Sequence, residues 1–134
     1  MALTTIADSD YVGDSRADIN ANFLYLQAVQ TATYASAQTL TAEECNGYVI
    51  YVTGAAVITL PARFAGMSVT IVTIGAVAVS VKPNASDKLW LDGTALDDAD
   101  KCTNLSTAGD ICVITDYSAD GCYASTNAWT DTGA

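Results

Sequence analysis

The sequence predicts a mainly β protein, an antiparallel β-sandwich or barrel preceded by an N-terminal arm and one short α-helix. Three observations carry that reading. From Tyr34 onward apolar residues recur with a period of two, in short runs separated by Gly, Asn, Asp and Pro. Only one stretch, residues 14–30, repeats at helical spacing. A chain of 134 residues is long enough for one domain with a real core and an appended arm.

Residues 1–13 read as an extended arm, with Asp8, Ser9, Asp10 and Gly13 supplying turns and Ile6, Tyr11 and Val12 as isolated anchors. The helix begins at Ser15, placed as an N-cap, and Asp18 three residues later completes a capping-box-like pair. Asp14 and Asp18 also put negative charge at the positive end of the helix dipole. Ile19, Phe23, Leu26 and Gln30 then alternate spacings of four and three, a seam that starts apolar and ends polar. So short a helix needs a covering surface, either the β domain or the same helix from sister chains. In the second case Gln30 sets the register between chains. Residues 1–33 are therefore read as an arm with an oligomerisation and docking helix, and residues 34–134 as the β domain.

Within that domain, residues 35–41 form a weak first strand. Residues 48–53 turn at Gly54 into 56–60, where Pro61 ends the ladder because it has no amide hydrogen. After a connection over 62–67, residues 68–74 turn at Gly75 into 76–82, in which Val77, Val79 and Val81 alternate with smaller or polar residues. Residues 88–91 end at Asp92-Gly93, and residues 111–117 run to Asp120-Gly121; both dipeptides are hairpin signals. An acidic loop over 95–103, a short strand over 103–107 and a last strand over 122–129 complete about eight or nine strands. Their spacing is that of antiparallel hairpins. Outward candidates are Thr and Ala where a solitary domain would carry Lys and Glu, which fits flanks buried against copies or a larger assembly.

Five basic residues face fifteen acidic ones, a net charge of −10, which excludes nucleic acid and anionic membrane surfaces as partners. No run of apolar residues is long enough to span a bilayer, and the first residues lack the basic and apolar regions of a secretory signal. Cys45, Cys102, Cys112 and Cys122 form no C-x-x-C pair. They read as buried free thiols before bridges, with three fully paired connectivities open. Histidine is absent, which removes Ser-His-Asp and Cys-His chemistry, and no phosphate-cradling glycine motif occurs. No metal or cofactor site is assigned.

Two surface features carry binding chemistry. The loop containing Asp92, Asp97, Asp98 and Asp100 gathers oxygen ligands suited to Ca²⁺ but lacks EF-hand spacing, so it reads first as a solvated turn. Trp90, Tyr117, Tyr123 and Trp129 fall together toward the C-terminal strands, where their faces suit stacking on the sugar rings of a host-surface glycan. The sequons at Asn84 and Asn104 read as turn chemistry.

The segment Ala-Asp-Ile-Asn-Ala-Asn-Phe-Leu-Tyr-Leu ending at Leu26 resembles the D-[IL]-N-A-N-F-x-x-L helix of many tailed-bacteriophage structural proteins. The lead-in from Leu40 through Gly47, the Val57-Ile-Thr-Leu-Pro61 strand and the closing stretch from Gly121 to Trp129 are similar, in that order, to small β domains of phage virion proteins. The resemblance implies a virion component, a homotrimer that decorates the capsid as a cement protein or head fibre or rides on the tail, assembled in the host cytoplasm. It implies no enzymatic activity and no cofactor. At 134 residues the chain has no room for a fibre shaft, which favours the capsid surface over a tail fibre.

Overall fold

The computed structural model describes residues 17, 19–22, 24, 25 and 28–134. The chain divides into two units after Gln30. In the first, Ala17, Ile19, Asn20, Ala21, Asn22, Leu24 and Tyr25 are helical. The Ala28 amide donates to the Leu24 carbonyl at 3.1 Å. Beyond it the Gln30 side-chain amide donates to the carbonyls of Tyr25 at 3.1 Å and Ala28 at 3.2 Å. Gln30 thus satisfies carbonyls that a helix end leaves free. This corrects its expected place: it lies past the helix as a terminator, not inside a heptad seam. Ser15, Asp18, Phe23 and Leu26 lie outside the described residues. The β domain opens at Thr31, three residues before the expected start, because the β-branched Thr31 and Thr33 join a strand instead of prolonging the helix.

Twelve strands are formed by the described residues: β1 (Thr31–Tyr34), β2 (Gln38–Thr39), β3 (Asn46–Val52), β4 (Ala56–Thr59), β5 (Ser68–Thr73), β6 (Val79–Lys82), β7 (Lys88–Leu91), β8 (Thr94–Ala95), β9 (Cys102–Thr103), β10 (Ile111–Ser118), β11 (Gly121–Thr126) and β12 (Thr130–Asp131). They make a sandwich of a seven-stranded sheet, ordered β1-β3-β5-β10-β11-β7-β8, and a five-stranded sheet, ordered β12-β9-β6-β4-β2. Both sheets are open at their edges, so the barrel alternative does not apply.

The expected antiparallel pairing is corrected: both sheets are mixed. β1 pairs with β3, β3 with β5, β2 with β4, β4 with β6 and β7 with β11, all in parallel. The first six strands wind as a coil that changes sheet at every connection. One turn takes 18 residues from Thr31 to Val49 in the larger sheet and 23 from Ala56 to Val79 in the smaller. Gly54 and Gly75, expected as hairpin turns, are corners between sheets. At Gly54 the preceding coil lies so close that a β-carbon would meet the Ala35 carbonyl oxygen at 2.3 Å, so only glycine fits. The parallel ladder runs on past these strands, with Thr53 N–H donating to Tyr34 O and Leu60 N–H to Lys82 O. True hairpins occur where Asp92-Gly93 joins β7 to β8 and Asp120-Gly121 joins β10 to β11.

Ile50, Val52, Ile58, Val69, Ile71, Val79, Val81, Leu89 and Ile114 fill the space between the sheets. Side-chain bonds fix the irregular segments. In the lead-in to β3, Thr41 N–H donates to Glu44 Oε2 at 2.8 Å and Glu44 N–H to Thr41 Oγ1 at 3.2 Å, a reciprocal cap. The Tyr34 hydroxyl donates to Glu44 Oε1, tying β1 to that cap. Arg63 Nε donates to Asp116 Oδ1 at 2.6 Å and Gly66 N–H to Asp116 Oδ2 at 3.1 Å, which pins the 61–67 connection onto β10. The buried Asn104 bonds three groups around the start of β6, so its sequon is structural. All four cysteines are free and buried.

Candidate interaction surface

Period two along a strand sends alternate side chains to opposite faces, and here both sets are apolar in the central strands of the larger sheet. In β3, Tyr48, Ile50 and Val52 face the core while Val49 and Tyr51 face out. In β5, Val69, Ile71 and Thr73 are buried while Thr70 and Val72 are only half-buried. β10 sends Cys112 and Ile114 inward and Ile111, Val113, Thr115 and Tyr117 outward.

Register assembles these outward residues into rows across the sheet. One row runs Thr33, Tyr51, Val72, Ile111. A second runs Thr31, Val49, Thr70, Val113, Ser125. A third runs Ser68, Thr115, Tyr123, Trp90. No outward position of β1, β3, β5, β10 or β11 carries a charge. The first charged neighbour is Lys88 on β7, whose Nζ lies 3.4 Å from Asp98. Apart from Asp116 within β10, which is bonded to Arg63, the described acids sit in turns, connections and strand ends. On a chain of net charge −10 this leaves one broad neutral face.

The aromatic residues expected to act together divide. Trp90 and Tyr123 are direct neighbours across the β7–β11 pairing. Tyr117, set at the irregularity between Asp116 and Ser118, bridges them, with ring centroids 5.1 Å from Trp90 and 5.6 Å from Tyr123 at interplanar angles of 57° and 60°. Such tilted contacts are worth about 0.5–1.5 kcal/mol each. Tyr117 is 58% exposed at the corner of the neutral face. Trp129 is not with them: it is 4% exposed in the core, and among the described residues its indole N–H has no acceptor. The aromatic-to-sheet connection between β11 and β12 turns it inward, which corrects its expected surface role. Of the expected docking residues, Ile19 is 42% exposed on the helix.

In the acidic loop, Asp92 is already committed: Oδ1 accepts from Thr126 N–H at 2.8 Å and Oδ2 from Thr126 Oγ1 at 2.6 Å. Among the described residues no three acids, cysteines or histidines come together as metal ligands. Polar chemistry elsewhere is structural. The hydrogen bond from Arg63, with help from the Gly66 amide, holds the Asp116 carboxyl below its usual range. The hydrogen bond to Glu44 pushes the Tyr34 phenol up to about 12.

Val49, Tyr51, Val72, Ile111 and Val113 were not among the residues expected to form a site. Their signal was present in the sequence as runs apolar at consecutive positions, Tyr-Val-Ile-Tyr-Val in β3 and Ile-Cys-Val-Ile in β10, the pattern of strands covered on both faces. Compared with protein-family models, with curated proteins and with solved structures, the chain matches none.

Proposed function

We propose that this chain is a non-enzymatic structural protein of a tailed-phage virion, a homotrimer that decorates the capsid surface as a cement protein or head fibre. The observation that carries the reading is the neutral outer face of the larger sheet, whose strands are apolar on both sides within a chain of net charge −10. Acidic copies repel through their turns and meet without that cost only where charge is absent. Five strands of about 16 Å, spaced about 4.8 Å apart, present roughly 400 Å². That is about half of the ~800 Å² that each partner contributes to a stable interface. Residues 1–30, with the Asn-Ala-Asn helix that resembles phage structural proteins, are the second element of the proposed assembly.

The buried polar side chains support a structural role. Glu44, Asn104 and Asp110 each accept a hydrogen bond from a backbone amide, at Thr41, Val79 and Thr107. Sedimentation equilibrium on the full chain tests the reading. A stable trimer that becomes monomeric when residues 1–30 are deleted is expected; a monomer at all concentrations, or a trimer indifferent to that deletion, overturns it. A second reading, a tail-associated glycan-binding module, is favoured by the contiguous Trp90, Tyr117 and Tyr123 rings. A glycan array on the assembled protein separates the two, since only this reading predicts binding that Tyr117→Ala abolishes.

A further inference from the structure

Of the six asparagines in the chain, the fold leaves one in a different condition from the rest. Asn20 and Asn22 are helical. Asn84 Oδ1 accepts from Ser86 N–H at 3.4 Å and from the Ser86 hydroxyl at 3.2 Å. The Asn104 amide is engaged at both ends around β6. Asn127 accepts from Ile111 N–H at 2.8 Å and donates to Asp110 Oδ1 at 3.3 Å. Asn46, the first residue of β3, is exposed, and among the described residues its side chain has no hydrogen-bond partner. It is also the only asparagine in the sequence that is followed by glycine.

Gly47 is required by the backbone. Ser68 N–H donates to Cys45 O at 2.9 Å, and the register then passes from Asn46 opposite Ser68 to Tyr48 opposite Val69. Gly47 is therefore the extra residue of a bulge, where the ladder is locally interrupted. Its φ of +90° is one that side chains rarely adopt, and nothing stands within 4 Å of the place a β-carbon would occupy. The bulge demands a glycine, and that glycine leaves the amide nitrogen beside Asn46 without a side chain to shield it.

We propose that Asn46-Gly47 is a self-modifying site, which converts in the folded protein to aspartate and isoaspartate. Hydroxide removes the Gly47 amide proton, and the nitrogen attacks the side-chain carbonyl carbon of Asn46. The new C–N bond closes a succinimide ring, the bond from that carbon to the side-chain nitrogen breaks, and ammonia leaves with a proton taken back from water. Water then opens the ring. Cleavage between Gly47 N and the side-chain carbon gives aspartate; cleavage between Gly47 N and the main-chain carbon gives isoaspartate, with the backbone rerouted through the side chain. Overall one water is consumed and one ammonia released, and nothing is oxidised or reduced. An exposed carboxylate at this position is solvated, and a bulge already accommodates surplus backbone. The product carries one more negative charge on a chain already at −10. Because Asn46 lies opposite Ser68, that charge falls at the end of the third row of the neutral face.

The folded full chain is incubated in mildly alkaline buffer without denaturant, sampled over days, digested in acid and mapped by mass spectrometry, with ammonia measured in the same samples. Aspartate and isoaspartate are expected to accumulate at residue 46 before Asn84, Asn104 or Asn127 changes, with one ammonia per converted chain and a rate that rises in proportion to hydroxide. Asn46→Ser, a change at an exposed position with no amide to lose, abolishes the early ammonia and the acidic band that isoelectric focusing resolves in the aged parent. An Asn46 that stays intact in the folded chain overturns the inference, and its conversion in urea alone would show that the fold shields the site. Earlier conversion of any other asparagine overturns it as well.

Discussion

Replacing Asn104 with alanine removes a side chain that organises the entry to β6. Asn104 is 6% exposed. Its Oδ1 accepts from Val79 N–H at 2.9 Å, and its Nδ2 donates to Val77 O at 3.1 Å and to Thr73 Oγ1 at 3.3 Å. Alanine leaves the Val79 amide and the Val77 carbonyl without these partners at the corner where the coil passes from β5 to β6. Each stranded buried group costs about 1–3 kcal/mol, so the loss is about 4 kcal/mol. A domain of this size has about 5–15 kcal/mol in all. With a urea dependence of about 1.5 kcal/mol per molar, the unfolding midpoint falls by about 2.5 M. Urea titration followed by the fluorescence of Trp90 and Trp129 reads this directly. Asn104→Asp keeps the acceptor for Val79 and loses both donors, so its midpoint lies between. A shift below about 0.5 M for the alanine variant would refute the reasoning, since that is under about 1 kcal/mol and means the corner holds itself together without the side chain.

Three further outcomes follow from the same geometry. Val113→Lys, at the centre of the neutral face, leaves the unfolding free energy of the isolated chain within about 0.5 kcal/mol of the parent. In the proposed assembly it weakens association at least tenfold, because a lysine charge would be buried without a partner; unchanged sedimentation would remove this face from the proposed interface. Tyr34, whose phenol rises to about 12 in the fold from about 10 in an unfolded chain, contributes stability that is whole below about pH 10 and is lost between about pH 10 and 12. Tyr34→Phe therefore flattens the alkaline limb of stability measured by urea midpoints, and parallel limbs for parent and variant would count against the Glu44 bond as its cause. Gly121→Ala places a methyl 2.0 Å from Lys88 O and 2.7 Å from Lys88 N, both rigid backbone atoms, and opens the β7–β11 pairing. A loss of about 3 kcal/mol is expected by thermal unfolding, against about 1–2 kcal/mol for Gly109→Ala, where space is open and only a φ of +89° is strained.

Much of the strand content was legible, and the partnering was not. Val77, Val79 and Val81 announce a strand with one buried face, and Asp92-Gly93 and Asp120-Gly121 mark real hairpins because each supplies the backbone a tight reversal needs. Gly54 and Gly75 carry the same local signal but turn the chain from one sheet to the other. What makes Gly54 obligatory is the Ala35 carbonyl, which belongs to the previous coil and leaves no trace in the residues around Gly54. Two-residue strands such as β2, β8, β9 and β12 are too short to show a period at all. Gln30 fits a heptad position equally well whether it packs or caps, and only its bonds to Tyr25 and Ala28 decide. The surface was half legible. Consecutive apolar residues in β3, β5 and β10 declare that both faces are covered, whereas the alignment of Tyr51, Val72 and Ile111 into one row depends on parallel and antiparallel registers that spacing does not contain. Trp129 looked like its neighbours Trp90 and Tyr123 in sequence, but the crossing to β12 carries it inward.

The coil of β1 to β6 also sets a timetable for synthesis. Each of its turns can stack on the one before as soon as it leaves the ribosome, because the partners are neighbours in the chain. The outer edge of β5 waits much longer: Ile71 meets Cys112, and Val72 meets Ile111. At about 5–20 residues per second, several seconds of translation separate the two. During that interval Ser68–Thr73, an uncharged and strongly β-forming hexamer, stands as an open edge on every nascent chain of a polysome. The arrival of β10 is the event that retires it. Yield from a recombinant host therefore depends on how promptly the message between β6 and β10 is read, since slow codons there lengthen the window in which neighbouring chains pair with each other instead of with themselves.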